Sequence, residues 1–94
     1  MTLRPSPIIA LNRAIAMAEH EGPERGLAEI RAIADQDRLA SYPFYPAALG
    51  ELELRCGRHQ AACEHFQAAL ALARNPMESQ FFARRISAAG SPPP

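Results

Sequence analysis

The feature that most constrains this chain is a pair of glycines, Gly22 and Gly57, that lie 35 residues apart and each divide two segments of helical apolar spacing. Before Gly22, Ile8, Leu11, Ile15 and Ala18 recur at three- and four-residue intervals, and Leu27, Ile30, Ile33 and Ala34 follow it. Before Gly57 the same spacing is carried by Ala48, Leu49, Leu52 and Cys56, and after it by Ala62, Phe66, Ala69 and Leu70. Such spacing gathers apolar side chains on one face of a helix. Glycine takes the left-handed conformation that ends one helix and lets the chain turn back. The expected fold is therefore all-α, with two antiparallel helix pairs in tandem.

Local signals set the boundaries. Ser6-Pro7 offers a capping side chain followed by a proline suited to the first helical position, and Glu21-Gly22-Pro23 closes that helix and opens the next. The polar run Asp35-Gln36-Asp37 ends the second helix, before Leu39 and Ser41 lead onward. In Tyr42-Pro43-Phe44-Tyr45-Pro46, the second proline would break a backbone bond if the helix began much earlier. The third helix is therefore placed to start between Pro43 and Ala47. Asn75-Pro76 with Glu78 begins a fifth helix, from Met77 to about Ser87, carrying Phe81, Phe82 and Ile86. Adjacent helical residues point about 100° apart, so Phe81 and Phe82 cannot both enter one core. One of them is expected to be exposed or covered by another subunit, which makes a homodimer a further expectation. Residues 1–88 are read as one helical domain, and residues 89–94, ending in Ser91-Pro92-Pro93-Pro94, as a disordered proline-rich tail.

A chain of 94 residues supports one small core. With 48% hydrophobic but only 6% aromatic residues, that core must be built from closely packed Ala, Leu and Ile. Ten basic residues, all Arg, balance ten acidic ones, so no net field draws the chain to nucleic acid or to an anionic membrane. The Arg- and Ala-rich usage points to a bacterial, GC-rich genome. Two cysteines are too few for a secreted disulfide scaffold, and the apolar stretch from Ile8 to Ala18 is too short to span a bilayer. A cytoplasmic, unprocessed protein is expected.

The period and the order Leu49-Gly50, Gly57, Ala62, Phe66, Ala69, Leu70, Leu72 and Pro76 resemble the tetratricopeptide repeat. Small residues at Gly50 and Ala62 allow close helix approach, and Phe66 fills the space beyond. In the first copy Gly26, Ile30 and Ile33 stand where Ala62, Phe66 and Ala69 stand in the second, so that copy is degenerate. The resemblance implies about five antiparallel helices, two tetratricopeptide-like pairs with the fifth helix as a cap. An unrelated helical bundle with the same spacing is the alternative.

A more specific likeness lies in Ser6-Pro7-Ile8-Ile9-Ala10-Leu11-Asn12-Arg13-Ala14-Ile15-Ala16 and Gly22-Pro23. It continues in Gly50-Glu51-Leu52 with Arg55, Gly57-Arg58, Phe66 with Ala69-Leu70, and Asn75 with Glu78, Phe82 and Arg85. Together these resemble the C-terminal helical extension of a group of bacterial extracytoplasmic-function RNA polymerase sigma factors, although Leu49-Gly50 stands where that family has Arg-Ala. The resemblance implies a regulatory protein-interaction module of transcription initiation, with sigma-factor regions or RNA polymerase as partner. The polymerase- and promoter-binding regions that precede the extension in that family are absent from this chain, which alone is not expected to direct transcription. The alternative is a stand-alone tetratricopeptide-like adaptor for an unrelated protein or peptide.

In stacked helix pairs the first helix of each pair lines the concave face. Ile9, Asn12, Ala16 and Glu19 are thus expected to join Phe44, Ala47, Glu51 and Arg55 in a partner-binding groove. Asn12 could bond an extended peptide backbone and Arg55 could clamp a carboxylate; the competing readings are a solvated Asn12 and a helix-capping role for Arg55 and Arg58.

Other chemistry has less support. Cys56, His59, Cys63 and His65 are all capable zinc ligands, but Cys63 and His65 are two apart on one helix and diverge by roughly 200°. The pairs Glu19/Glu21 and Glu51/Glu53 diverge in the same way. His20-Glu21 lacks the second histidine of a zincin helix, and no phosphate loop or nucleophile motif is present. Arg84-Arg85 is the one adjacent basic pair. The chain is expected to be non-catalytic, without cofactor or metal, and without direct nucleic-acid or membrane contact.

Overall fold

Among the described residues five α-helices form, starting close to where the caps place them. The structure, a computed structural model, describes residues 6–33 and 36–90. In order these are α1 (Pro7–Glu21), α2 (Pro23–Arg31), a 3₁₀ turn (Gln36–Leu39), α3 (Phe44–Arg55), α4 (His59–Ala71) and α5 (Pro76–Gly90). Ser6 caps α1, its hydroxyl accepting from the Ile8 N–H at 3.2 Å, and Pro7 takes the first turn, where an N–H has no intrahelical partner. Gly22 alone separates α1 from α2 and Gly57 helps separate α3 from α4, with φ of 97° and 80°. At the second turn the Arg58 N–H donates to the Glu53 carbonyl and the Gly57 N–H to that of Leu54, both at 3.0 Å. These two bonds are the glycine stop that satisfies otherwise orphaned carbonyls.

α2 stops at Arg31, earlier than the apolar spacing suggests, and Ile33 is half-buried in the turn beyond it; Ala34 lies outside the described residues. The Gln36 side chain takes over the free end, donating to the Arg31 carbonyl at 2.6 Å, and the Tyr45 hydroxyl donates to Gln36 Oε1 at 3.3 Å. Pro46 sits in the first turn of α3, where it breaks no bond. At α5 the Asn75 side chain accepts from the Glu78 N–H, and Glu78 accepts from the Arg74 N–H, each at 2.9 Å.

Two core clusters share α3. Leu11, Ala14, Ala18, Leu27 and Ile30 meet Ala48 and Leu52 in the first, while Ala47, Ala62, Phe66, Ala69, Phe82 and Ala89 form the second. The result is a slab 52 × 31 × 17 Å, whose thinnest dimension is that of two packed helix layers. Within it the pairing logic repeats at 36 residues: Leu11, Ala14, Gly26 and Ile30 occupy the places of Ala47, Gly50, Ala62 and Phe66. Each pair needs a glycine at its close approach, but the two place it on different helices. In the second pair Gly50 lies under the Phe66 ring, which an added Cβ would meet at 3.0 Å; in the first, Gly26 lies against Ala18 and Ala14.

α5 runs on to Gly90, past the expected end near Ser87 and past the expected domain limit at residue 88. Ala89 is buried in the second core, and α4 holds the final turn: His59 Nδ1 lies 3.2 Å from the Ala89 carbonyl and the Cys63 thiol donates to that of Ile86 at 3.6 Å. The proline-rich residues 91–94 lie outside the described residues. Among the described residues no helix is long and apolar enough to cross a membrane.

Candidate partner-binding groove

The first helices of the two pairs, α1 and α3, together with the capping helix α5, border one open groove of about 420 Å³ lined by Asn12, Ile15, Tyr42, Phe44, Ala47, Ala48, Glu51 and Phe81. Asn12, Phe44, Ala47 and Glu51 are where the sequence places them. Ile9, Ala16, Glu19 and Arg55 are not in the lining. For Ile9 and Ala16 the cause is register: the glycines are 35 residues apart but the packed faces repeat at 36, and one residue turns a helix by about 100°. Ile15, rather than Ala16, thus stands opposite the place of Glu51, and Ile8, rather than Ile9, matches Phe44. Tyr42, Ile15, Ala48 and Phe81 belong to the groove and were missed; burial-based register would have found Ile15.

Arg55 does not stand ready to clamp a ligand carboxylate. It reaches across to Glu19 at 2.8 Å, both side chains half-exposed. The same link recurs one helix further on, where Arg85 of α5 grips Glu51 of α3 through Nε and, at 3.0 Å, through its second nitrogen. A third link joins Arg58 to Glu24 at 3.3 Å. The first two pairs tie α1 to α3 and α3 to α5, the third ties α2 to the start of α4, and Glu51, the carboxylate of the lining, is compensated. Exposed pairs of this kind add little stability, but they set register.

Arg58 has a second role. Glu53 is buried, and its carboxylate accepts from Arg58 Nε at 2.7 Å. That bond, with the one to Glu24, holds the guanidinium above its ordinary pKa. At the mouth of α5, the guanidinium and backbone N–H of Arg74 hold the Glu78 carboxyl below its ordinary value. Arg74 also lies 5.8 Å from the centre of the Tyr42 ring, tying the loop before α5 to the groove wall. Phe44 meets Phe82 edge-on, ring centres 5.5 Å apart, and Phe82 meets Phe81 at the same distance. This aromatic chain runs from the second core out to the surface.

One exposed large apolar side chain, Phe81, belongs to the groove. Among the described residues the large exposed hydrophobics are Ile8 (40%), Ile9 (52%), Met77 (80%) and Phe81 (43%). Ile8 and Ile9 lie within about 60° of Asn12 on α1, and Met77 lies one turn before Phe81 on α5. Of these four, Phe81 is in the groove lining. Phe82 is buried and Phe81 exposed, as adjacent helical residues must divide.

Of the four zinc-capable side chains, Cys56 stands at the end of α3 and His59, Cys63 and His65 on α4, where His59 and Cys63 face the Ala89 and Ile86 carbonyls of α5. Among the described residues no group of three or more metal-ligating side chains is brought together. Glu51 and Glu53 are bound to different arginines.

Over 84 residues, 89% of this chain, the sequence is 37% identical to an uncharacterized protein of Rhizobium meliloti (strain 1021), and the chain spans only 19% of that protein's length. No protein-family model matches the chain. No solved structure matches it.

Proposed function

We propose that this chain is a non-catalytic protein-interaction module that serves in transcription initiation, acting as the regulatory helical extension of an extracytoplasmic-function sigma factor in the bacterial cytoplasm. The observation that carries the docking half is an open groove whose lining includes Ile15, Phe44, Ala47, Ala48 and the exposed ring of Phe81. Apolar residues so gathered mark a docking surface. The transcriptional half rests on the motif resemblance from Ser6 to Arg85, and the setting within a larger chain is supported by the greater length of the Rhizobium protein.

Purified chain incubated with purified bacterial RNA polymerase, with and without a sigma factor of this type, tests the reading. Co-elution of the wild type and its loss in Phe81→Asp support it. Failure to co-elute under both conditions refutes the transcriptional assignment and leaves the adaptor alternative.

A further inference from the structure

We infer that two copies of this chain pair through the outer face of α5, packed antiparallel along a line formed by Met77, Phe81, Arg84 and Ala88. Among the described residues α5 closes the helix stack, and the element that ends such a stack needs a polar outer face to stay soluble. This one departs from that rule. Phe82 and Ala89 turn into the second core, and at about 100° per residue the four positions lie roughly 100–160° round the helix from Phe82, all on one side. All four are exposed, Met77 to 80% and Phe81 to 43%. Their intervals of four, three and four residues are those of the seam between two packed helices. Only Phe81 of the four reaches the groove lining, so the line is a second surface and does not depend on the docking reading.

The occupant is a second copy because the line is complementary to itself. An antiparallel pair with its two-fold axis between Phe82 and Ala83 sets Met77 against Ala88 of the second copy and Phe81 against Arg84 of the second copy, and each contact recurs across the axis, as a closed isologous interface requires. Arg74 and Arg85 are bound to Glu78 and Glu51, while among the described residues Arg84 has no ion pair. Its guanidinium is left to lie over the facing ring, as that of Arg85 lies 5.6 Å from the centre of Phe66. A parallel pair would instead set the two Arg84 guanidiniums at one level, like against like. The outer line of α1 at the same spacing, Ile9, Arg13, Ala16 and His20, is also exposed. Packed head to tail on α5 it would leave every copy with a free end and build fibres, where the α5 pair closes on itself. A single helix line about 16 Å long is small for an interface, so the dimer is a weak one.

Sedimentation equilibrium of the full chain, from about 5 μM to about 500 μM, tests the pairing over the range where so small an interface associates. The wild type is expected to pass from monomer to dimer and to go no further. Met77→Glu and Ala88→Arg should each weaken the dimer about tenfold. Both changes fall at exposed positions, and an acid in the first turn and a base in the last turn suit the helix dipole, so both variants keep the fold, which circular dichroism checks. The double variant should recover the dimer in dilute salt and lose that recovery near about 0.5 M salt, because the two-fold sets the new carboxylate of one copy against the new guanidinium of the other. Within one chain the two positions are about 16 Å apart along the helix and cannot pair. A monomer throughout, or loss in both single variants with no recovery in the double variant, would overturn the inference. Growth beyond the dimer that Ile9→Asp abolishes would overturn it in favour of head-to-tail stacking.

Discussion

Replacing Gly26 with alanine appears, from the repeat pattern alone, to be a repair, because the second copy has Ala62 at the matching place. The structure predicts the opposite. A Cβ on Gly26 would lie 2.6 Å from the Ala18 Cβ, 3.0 Å from Leu52 Cδ1 and 3.2 Å from the Ala14 carbonyl oxygen. Carbon atoms rest at about 3.5–4.0 Å, so α2 must retreat from α1 by about 1 Å, and neither Ala18 nor the α1 backbone has a flexible end to swing aside. Overpacking of this kind costs about 1–3 kcal/mol, and three neighbours on two helices place it near the upper value. The gain in helix propensity from Gly to Ala returns about 1 kcal/mol. The expected net loss is about 2 kcal/mol, a fall in Tm of about 10 °C for a domain of this size. Urea unfolding followed by circular dichroism measures it. A double-mutant cycle with Ala18→Gly should show a coupling of at least about 1 kcal/mol, because removing that methyl lifts the worst contact. Stabilisation of Gly26→Ala by about 1 kcal/mol, or simple additivity with Ala18→Gly, would refute the claimed close approach of α1 and α2.

Phe66→Ala removes a fully buried ring from the cluster that joins α3, α4 and α5, and should cost about 3–5 kcal/mol, read as a fall in urea midpoint; a loss comparable to that of an exposed substitution would contradict the packing. Arg58→Ala should lower the midpoint more than Glu24→Ala does, because only the former strands the buried Glu53 carboxylate; equal effects would show that Glu53 finds water instead. Glu78 titrates below its ordinary value when folded, so its contribution is present at neutral pH and is lost as the pH falls from about 4 through the depressed folded value. Protection of the amides at the start of α5, taken relative to their intrinsic exchange rate at each pH, should therefore fall with acid over that window, and Glu78→Gln should already be loosened at neutral pH and flatten that dependence. An unchanged acid response in Glu78→Gln would assign the effect to another group.

The fold was legible because its signals are local. Ser6-Pro7, Gly22-Pro23, Gly57 and Asn75-Pro76 each mark a helix end by backbone chemistry that needs no distant partner, and the structure puts ends there. Two elements were not local. The arrest of α2 at Arg31 depends on Gln36 folding back and on Tyr45 holding it, and the run of α5 to Gly90 depends on His59 and Cys63 of α4, although the prolines beyond read as a stop. The groove was half legible for one reason. Aligning the copies on their glycines, which terminate helices, gives 35, whereas aligning them on the residues that pack, Leu11 with Ala47 and Ile30 with Phe66, gives 36. That single residue put Ala16 in the place of Ile15. The pairing of Arg55 with Glu19 and of Arg85 with Glu51 follows from the stacked arrangement of helices and has no signature in spacing.

The claim that the face formed by α1, α3 and α5 is the docking surface is tested most directly by hydrogen-deuterium exchange of the full chain, alone and with purified RNA polymerase holoenzyme at saturating concentration. The account predicts added protection in residues 8–16, 42–51 and 77–85, with α2 and α4 unchanged. Protection confined to α2 and α4, or none at all, would contradict it.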